Sequence, residues 1–382
     1  MTLAVDSYRH IPDLVDNPQV LNLSWTLDER QFLSSNVTQL IATCLADEID
    51  SGLRRIGQYL VKDPYGTAML GDAVSAYFDS DGLASQVSCA AGVNAWLQSL
   101  SALAGAGPVL VAEGSYPDFP HWARVAGTKI LPVPALAGVA QWRRMIDESS
   151  CSAVFLERPS FFGSPTDELD ALQELCRAAA ARAAFVLVDE SNANYAPPSF
   201  SAAPLTSRHC NLAVLRGLSK AYGLGSLRVG ICISAASLTP VVRASTAPMQ
   251  VASLSLHIAR MLLEHGDLAA PLRQRIVHMR PRAQSALQAS GARLRPSNPL
   301  LPYVLLATAT PLCSPDCSDA AIRTKRHPLW TGKPELETVH RCSIPLGDDR
   351  MQRLEQGLAV AASTPPDSSS PPLTSTKEST AQ

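Results

Sequence analysis

Short apolar runs alternate with helical patterns through the middle of this chain, from about residue 87 to residue 234. Typical runs are Val109–Ala112, Ala153–Leu156 and Ala184–Asp189, and Ala/Leu-rich stretches such as Thr166–Arg182 lie between them. Strands that alternate with helices favour parallel pairing, because each connecting helix crosses a face of the sheet. We therefore expect an α/β fold with a large, doubly wound, mainly parallel sheet.

The flanking segments predict a second, smaller α+β domain. Helical patterns recur near Val37–Ile56, Ala247–Glu264 and Leu272–Gln288, and the segments 301–306 and 340–344 are strand-like. A closing helix is expected near residues 349–361, and the Ser/Thr/Pro-rich end cannot bury enough apolar surface to order itself. The expected divisions are an N-terminal arm at 1–35, part of the small domain with an interdomain helix at 36–85, a large domain at 86–265, a C-terminal small domain at 266–362 and a disordered tail at 363–382.

Composition narrows the class of protein. The net charge is −2 and 46% of residues are hydrophobic, so a large core is possible and nothing favours nucleic acid as a partner. No apolar run approaches the roughly 18 residues of a membrane span. The first 20 residues lack the basic start and apolar stretch of a signal peptide, so we expect a cytoplasmic protein.

The nine cysteines do not predict a disulfide framework or a metal site. Their number is odd and no C-x-x-C motif occurs, so we expect reduced, mostly buried thiols. The one close pair, Cys313 and Cys317, has His327 and His340 downstream, but this spacing is poor for zinc ligands. We expect no metal.

The most informative segment runs from Leu215 to Gly230. A strand ends, a turn carries Ser219 and Lys220, and glycines lead to Arg228, eight residues after the lysine. A lone lysine in a turn is usually a solvated surface charge. A preceding hydroxyl and a following arginine across a Gly-rich corner instead favour a site that holds a phosphate beside an amine.

This segment resembles the pyridoxal 5'-phosphate (PLP) lysine motif of the class I and II aminotransferases, and especially the histidinol-phosphate aminotransferase-like branch. The pattern there is approximately R-T-L-S-K-A-[FY]-G-L-A-G-[LI]-R-x-G, and Gly217 replaces its usual threonine. The resemblance implies the type I fold of PLP-dependent transferases. It also implies that Lys220 carries PLP as a Schiff base and that Ser219 and Arg228 bind the cofactor phosphate.

Other parts of the family pattern follow in the same order along the chain. The run that ends in Asp189, 31 residues before Lys220, resembles the strand whose acid pairs with the pyridine nitrogen. The Gly turn before Val93 and Asn94 is similar to the phosphate-binding turn at a helix N-terminus, although such a glycine is often only a cap. Tyr116 takes the place of the aromatic residue that stacks on the cofactor ring, and a core tyrosine is the alternative.

Arg341, in His340–Ile344, resembles the strand arginine that binds the substrate α-carboxylate as a bidentate fork. A surface arginine is the alternative. The resemblance also implies a homodimer with small-molecule amino acid and 2-oxo acid substrates. Tyr59 or Tyr65 would then reach toward the neighbouring subunit's cofactor phosphate.

Two departures from the family pattern bear on the reaction. Phe161 aligns with the asparagine that donates to the cofactor's phenolic oxygen, and Asn192 aligns with a tyrosine that reaches the same oxygen. Ser160 or Asn192 are the candidate replacements.

Three hypotheses for the function stay open. The first is an aminotransferase acting on an L-amino acid or related amine. The second is another PLP reaction on a specialised amino acid, such as elimination, cyclisation, decarboxylation or oxidation, and the third is reduced activity. A non-catalytic regulator is disfavoured, because no DNA-binding extension or basic block is visible.

Overall fold

The computed structural model describes residues 20–362 except 27, 58–60, 104, 106, 308–321 and 334–336. The expected tail at 363–382, most of the expected arm, and Tyr59, Cys313 and Cys317 lie outside the described residues. No helix in the described part is long and apolar enough to cross a membrane.

A seven-stranded sheet occupies the middle of the molecule. Its strands are β2 (Val87–Ala91), β3 (Val109–Ala112), β4 (Ile130–Val133), β5 (Ala153–Glu157), β6 (Phe185–Asp189), β7 (Leu212–Gly217) and β8 (Val229–Ser234). Their order in the sheet is β2-β8-β7-β6-β5-β3-β4. The strands β2 and β7 pair antiparallel with β8, and the other neighbours pair in parallel. The mainly parallel sheet predicted from the sequence is confirmed.

Helices cover both faces of this sheet. The described helices are α1 (Val37–Asp50), α2 (Thr67–Tyr77), α3 (Val93–Leu103), α4 (Asp118–Val125), α5 (Val139–Ser149), α6 (Leu169–Ala180), α7 (Thr239–Ala244), α8 (Ser253–Glu264), α9 (Ala270–Ala289) and α10 (Asp348–Ala362). Side chains alternate between the two faces of a strand. On β5, Val154 packs in one core cluster with Trp142 of α5, whereas Phe155 packs in another with Trp96 of α3. The sheet is therefore doubly wound.

A smaller, four-stranded antiparallel sheet has the order β12-β13-β10-β9. Its strands are β9 (Leu294–Arg295), β10 (Tyr303–Leu306), β12 (Lys325–Leu329) and β13 (Glu337–Ser343), and β1 (Leu21–Asn22) pairs in parallel with β11 (Ile322–Arg323) elsewhere. The sequence predicted β10 and β13 but not β12, because Lys-Arg-His-Pro-Leu has no apolar alternation. The domain boundaries themselves stay a prediction.

Candidate active site

A cavity of about 480 Å³ opens beside the carboxyl ends of β5, β6 and β7. The carboxyl edge of an open α/β sheet is the usual place for a ligand, because the loops that follow the strands diverge there. Nine of the site residues predicted from the sequence line this cavity. The nine are Val93, Asn94, Tyr116, Asp189, Asn192, Ser219, Lys220, Arg228 and Arg341.

Lys220 lies in the turn after β7, where the side-chain amide of Asn194 donates to the backbone oxygens of Gly217, at 2.7 Å, and Lys220, at 3.3 Å. Burial, and after it the nearby positive charge of Arg341, lower the pKa of Lys220 to about 8. The amine lies 5.8 Å from the centre of the Trp25 ring. A lysine with such a pKa carries a substantial neutral fraction near neutral pH, which a nucleophilic amine requires.

The turn between β2 and α3 forms one end of the cavity. Gly92 has a φ of +84°, and a Cβ placed on it would lie 2.3 Å from Nη2 of Arg228. The Arg228 guanidinium donates to the Ala91 backbone oxygen at 3.1 Å, and Arg228 itself has a φ of +53°. The N-terminus of α3, a cation and the Ser219 hydroxyl therefore meet at one place, which suits a phosphate group.

Asp189 ends β6 with a side chain that is buried except at the cavity. The Ser191 backbone N–H donates to its carboxylate at 2.8 Å. Burial raises the pKa of Asp189, while the hydrogen bonds from the Ser191 backbone N–H and hydroxyl oppose the shift. A buried carboxyl at a cavity wall fits a partner that carries a proton on a ring nitrogen.

Two further acids line the same cavity. Glu157 ends β5, and its carboxylate accepts from the Tyr116 backbone N–H at 2.9 Å. Burial and the neighbouring carboxyl of Asp189 raise the pKa of Glu157 to about 8. The pKa of Asp118 is raised to about 6, also chiefly by burial.

A buried ion network fixes the strand ends behind the cavity. Glu190 follows β6 and pairs with Arg158 at 2.9 Å and with Arg216 at 3.2 Å. The Ser201 hydroxyl donates to the same carboxylate. Glu190 and Arg158 are 0% exposed, so these contacts tie together the ends of β5, β6 and β7 without solvent competition.

The two departures from the family pattern have different environments. The buried ring of Phe161 lies 4.4 Å from the His327 ring and 5.6 Å from the Tyr303 ring, centre to centre. The Ser160 hydroxyl donates to Asp167 at 3.1 Å and is absent from the cavity wall, so Ser160 is not the replacement donor. Asn192 does line the cavity.

Six other cavity residues with an aromatic ring or an ionisable group were not assigned to the site from the sequence: Trp25, Asp118, Glu157, Tyr303, Lys325 and His327. They come from separate segments, and no spacing along the chain connects them. The only feature of the sequence that could have pointed to any of them is the basic cluster around Lys325. Such a cluster is usually part of a solvated surface. Burial instead lowers the pKa of Lys325 to about 7, with Arg341 contributing.

The expected contact with a neighbouring subunit finds no direct test. The hydroxyl of Tyr65 donates to the Arg243 backbone oxygen at 3.0 Å within the same chain, and Tyr59 lies outside the described residues. Within the described ranges, no group of three or more His, Cys, Asp or Glu side chains is arranged to hold a metal ion. The homodimer stays a prediction.

The residues of the cavity fit PLP. The anion-binding corner at Arg228, the amine of Lys220 and the carboxyl of Asp189 match the phosphate, the aldehyde and the ring nitrogen of this cofactor. The cavity also lies within the 300–1,000 Å³ that is usual for small-molecule sites, at about 480 Å³.

Comparison with known proteins gives one family. The family model "Aminotransferase class I and II" matches residues 55–328. A histidinol-phosphate aminotransferase from Chlorobium phaeobacteroides is 28% identical over 254 residues, 65% of this chain and 68% of that protein. Another, from Stenotrophomonas maltophilia, is 35% identical over 42% of this chain and 46% of its own length. The chain thus spans about half to two thirds of these relatives.

Solved structures share the fold. A histidinol-phosphate aminotransferase from Sinorhizobium meliloti, in complex with pyridoxal-5'-phosphate, has a TM-score of 0.67 at 19% identity and covers 87% of this chain and 88% of its own. An L-threonine-O-3-phosphate decarboxylase from Porphyromonas gingivalis has a TM-score of 0.70 at 16% identity, over 89% of this chain and 99% of its own. At these identities the likeness concerns the fold. With the family model matching well over half of its length, the chain belongs to the class I and II aminotransferase family, and the predicted family, type I fold and PLP cofactor are confirmed.

Proposed function

We propose that this protein is a PLP-dependent aminotransferase that moves an amino group between an L-amino acid, or a related amine, and a 2-oxo acid. The observation that carries the proposal is the convergence of Lys220, Asp189 and Arg341 on one cavity. These residues come from the turn after β7, the end of β6 and the small sheet, so their meeting is a property of the fold and not of a local motif.

Bound PLP supplies a conjugated ring that accepts the electron pair released at the substrate α-carbon. Lys220 would hold the cofactor through its side-chain amine, and the same amine would serve as general base for the substrate α-proton. Its pKa of about 8, lowered by burial and by Arg341, keeps part of the amine neutral at physiological pH. The same neutral amine is required for both roles.

Asp189 holds a proton on the ring nitrogen, which strengthens the ring as an electron acceptor. The support for this role is the position of the carboxyl at the end of β6, buried and facing the cavity that contains Lys220. A cationic partner stabilises a buried carboxylate more than an exposed one, because the attraction between the charges is less screened by solvent.

The phosphate end and the ring face are held by residues of the large sheet. Ser219, Arg228 and the backbone at Val93 and Asn94 bind the phosphate, because a helix N-terminus and a guanidinium meet there. Tyr116, half-buried at the cavity wall, packs on the ring.

Arg341 binds the substrate α-carboxylate. One Nη of its guanidinium donates to the Ser24 backbone oxygen at 2.7 Å, and the guanidinium carbon lies 4.8 Å from the centre of the Tyr303 ring. These contacts fix the plane of the guanidinium, which favours bidentate recognition of a carboxylate.

The proposed enzyme is a cytoplasmic homodimer with the domain divisions expected from the sequence. The family membership supports the dimer, and the separate seven-stranded and four-stranded sheets support the division into domains. Sedimentation equilibrium tests the dimer, and a monomer at micromolar concentration would contradict it.

The test of the activity is a visible absorption spectrum of the PLP-loaded protein with a panel of L-amino acids. A donor amino acid is expected to remove the lysine-bound cofactor band and leave the amino form of the cofactor, and a 2-oxo acid restores the band. Lys220→Ala is the control that abolishes both changes. A protein that shows no such conversion with any amino acid or amine contradicts the proposal.

A second candidate function is a different PLP reaction, such as decarboxylation or elimination. The specific observation in its favour is the buried Phe161 at the position of the usual oxygen donor, with Ser160 turned to Asp167. The release of carbon dioxide or ammonia from an amino acid, without formation of the amino form of the cofactor, would assign the protein to this candidate instead.

A further inference from the structure

Two buried polar side chains of the small sheet end at the cavity, and neither has a hydrogen-bond partner in the part of the chain that the structure describes. His327 on β12 is 2% exposed, and among the described residues neither of its ring nitrogens is hydrogen-bonded. Tyr303 on β10 is 3% exposed, and its hydroxyl likewise has no hydrogen-bond partner among the described residues. Buried donors of this kind are costly unless a ligand or another group satisfies them.

Strand register places both residues on one face. Arg341 on β13 pairs with Lys325 on one side and with Leu305 on the other. Because side chains alternate along strands, His327, two residues after Lys325, and Tyr303, two residues before Leu305, share the face of Arg341. All of these except Leu305 line the cavity.

The wall between the two polar groups is apolar. The Phe161 ring lies 4.4 Å from His327 and 5.6 Å from Tyr303, and the Tyr116 ring lies 5.4 Å from His327. Phe161 has no hydrogen-bonding atom, so an oxygen of a ligand in this part of the cavity can be satisfied from His327 and Tyr303 and not from Phe161.

The charges around His327 indicate what it binds. Lys325 lies on the same strand as His327, Arg341 on the neighbouring strand and Lys220 elsewhere in the cavity wall. The acids in this wall are Glu157, which accepts from the Tyr116 backbone N–H, Asp118 and Asp189. Burial and the three cations drive the pKa of His327 well below its usual value, so the ring is neutral and one nitrogen carries a hydrogen. A hydrogen donor in a positive field favours an anionic oxygen as its acceptor.

We propose that His327 and Tyr303 form a donor pair for an anionic oxygen of the molecule bound in this cavity. That oxygen belongs either to the cofactor, as its phenolic oxygen, or to the substrate, as a carboxylate. The inference rests on the proposed function for the identity of these two molecules. It adds two ligand-binding residues, and in the first case they supply the hydrogen bonds that Phe161 cannot donate.

Three variants isolate the donors. His327→Phe removes both nitrogens but keeps a flat ring against Phe161, Tyr303→Phe removes only a hydroxyl, and His327→Gln restores an N–H of similar reach. His340→Phe is the matched control, because His340 lies on the same sheet outside the cavity and on the opposite face from Arg341. Each variant is first loaded with PLP and checked by circular dichroism for the parent fold.

The first readout is taken without substrate. If the acceptor is the cofactor oxygen, His327→Phe and Tyr303→Phe raise the dissociation constant for PLP about ten- to a hundredfold and shift the visible band of the loaded protein. His327→Gln recovers most of the change. His340→Phe is expected to match the parent protein.

The second readout is calorimetric binding of 2-oxoglutarate, used as a carboxylate probe, to the PLP-loaded proteins. If the acceptor is a substrate carboxylate, the cofactor spectrum stays unchanged and the dissociation constant of the probe rises about ten- to a hundredfold. Unchanged values in both readouts overturn the proposal, as does an unchanged spectrum together with no probe binding to the parent protein. Neither readout needs turnover, so failure of the aminotransferase assignment is recognised separately.

Discussion

Glu157 and Asp189 are register partners at the carboxyl ends of β5 and β6, so two carboxyl side chains lie side by side at one wall of the cavity. Two carboxylates on neighbouring strands in a poorly solvated wall repel each other, so one of the two groups keeps its proton. Burial and Asp189 raise the pKa of Glu157 to about 8, which makes Glu157 the protonated member near neutral pH. Asp189 is then free to pair with a cation.

This arrangement predicts how stability depends on pH in the protein without cofactor. A carboxyl with a raised folded-state pKa contributes stability that is complete below its unfolded value, near 4.5, and is lost as the pH rises through about 8. Glu157→Gln removes this dependence. The free energy of unfolding of the parent protein, measured relative to the variant by urea denaturation, should therefore fall progressively between pH 4.5 and pH 8.

The matched control is Glu174→Gln on the exposed side of α6. It should leave the free energy of unfolding within about 0.5 kcal/mol of the parent value throughout that range. A difference between Glu157→Gln and the parent protein that does not change with pH would contradict the assignment of the proton to Glu157.

Gly92 is expected to be required for cofactor binding. Gly92→Ala places a Cβ 2.3 Å from Nη2 of Arg228 and so displaces the guanidinium from the anion-binding corner. The dissociation constant for PLP, measured by fluorescence titration, should rise about tenfold or more. Gly82→Ala is the control, because Gly82 also has a positive φ, +86°, but its Cβ would meet open space. Equal PLP affinities in the two variants would contradict the role of Arg228.

Glu190 is expected to matter for folding more than for chemistry. Glu190→Gln removes the ion-pair partner of Arg158, which is 0% exposed, and breaking a buried pair in this way costs about 3–5 kcal/mol. Asp147→Asn breaks the exposed pair with Arg182 and should cost at most about 1 kcal/mol. Chemical denaturation measures both changes. A cost for Glu190→Gln no larger than that for Asp147→Asn would show that the network does not hold the strand ends.

The rate of cofactor uptake should follow the charge state of Lys220. The amine attacks the PLP aldehyde only when it is neutral, and its pKa is lowered to about 8. The uptake rate of the cofactor-free protein should therefore rise with pH through about 8 and then level off, in stopped-flow absorbance. A rise that continues toward pH 10.5, the ordinary lysine value, would show that burial and Arg341 do not lower the pKa.

The central sheet and the main site residues could be predicted from the sequence because their signals are local. Runs such as Ala153–Leu156 are short, apolar and bounded by turns, which is the pattern of a strand buried on both faces. Ser219 directly precedes Lys220 and Arg228 follows it by eight residues, so a single segment carries most of the anion-binding side chains. The resemblance to the family then supplied the order of Tyr116, Asp189 and Arg341.

The rest of the cavity could not be predicted because it depends on strand register. The sequence of β12, Lys-Arg-His-Pro-Leu, suggests a solvated segment. Lys325 and His327 are nevertheless buried, because β12 pairs with β13 in the small sheet. Glu157 lies four residues before the departure at Phe161, but its proton depends on the pairing with Asp189 on the neighbouring strand. Such contacts exist only after the sheets are assembled.

Reduction of the PLP-loaded protein with borohydride, followed by peptide mass spectrometry, tests the central claim most directly. The reagent fixes the cofactor on the lysine that holds it. The alternative is well defined, because Lys325 also lines the cavity and has a pKa lowered to about 7. The account predicts the added mass on the peptide that contains Lys220, and its loss in Lys220→Ala but not in Lys325→Ala. Label on Lys325, or on no lysine, would contradict it.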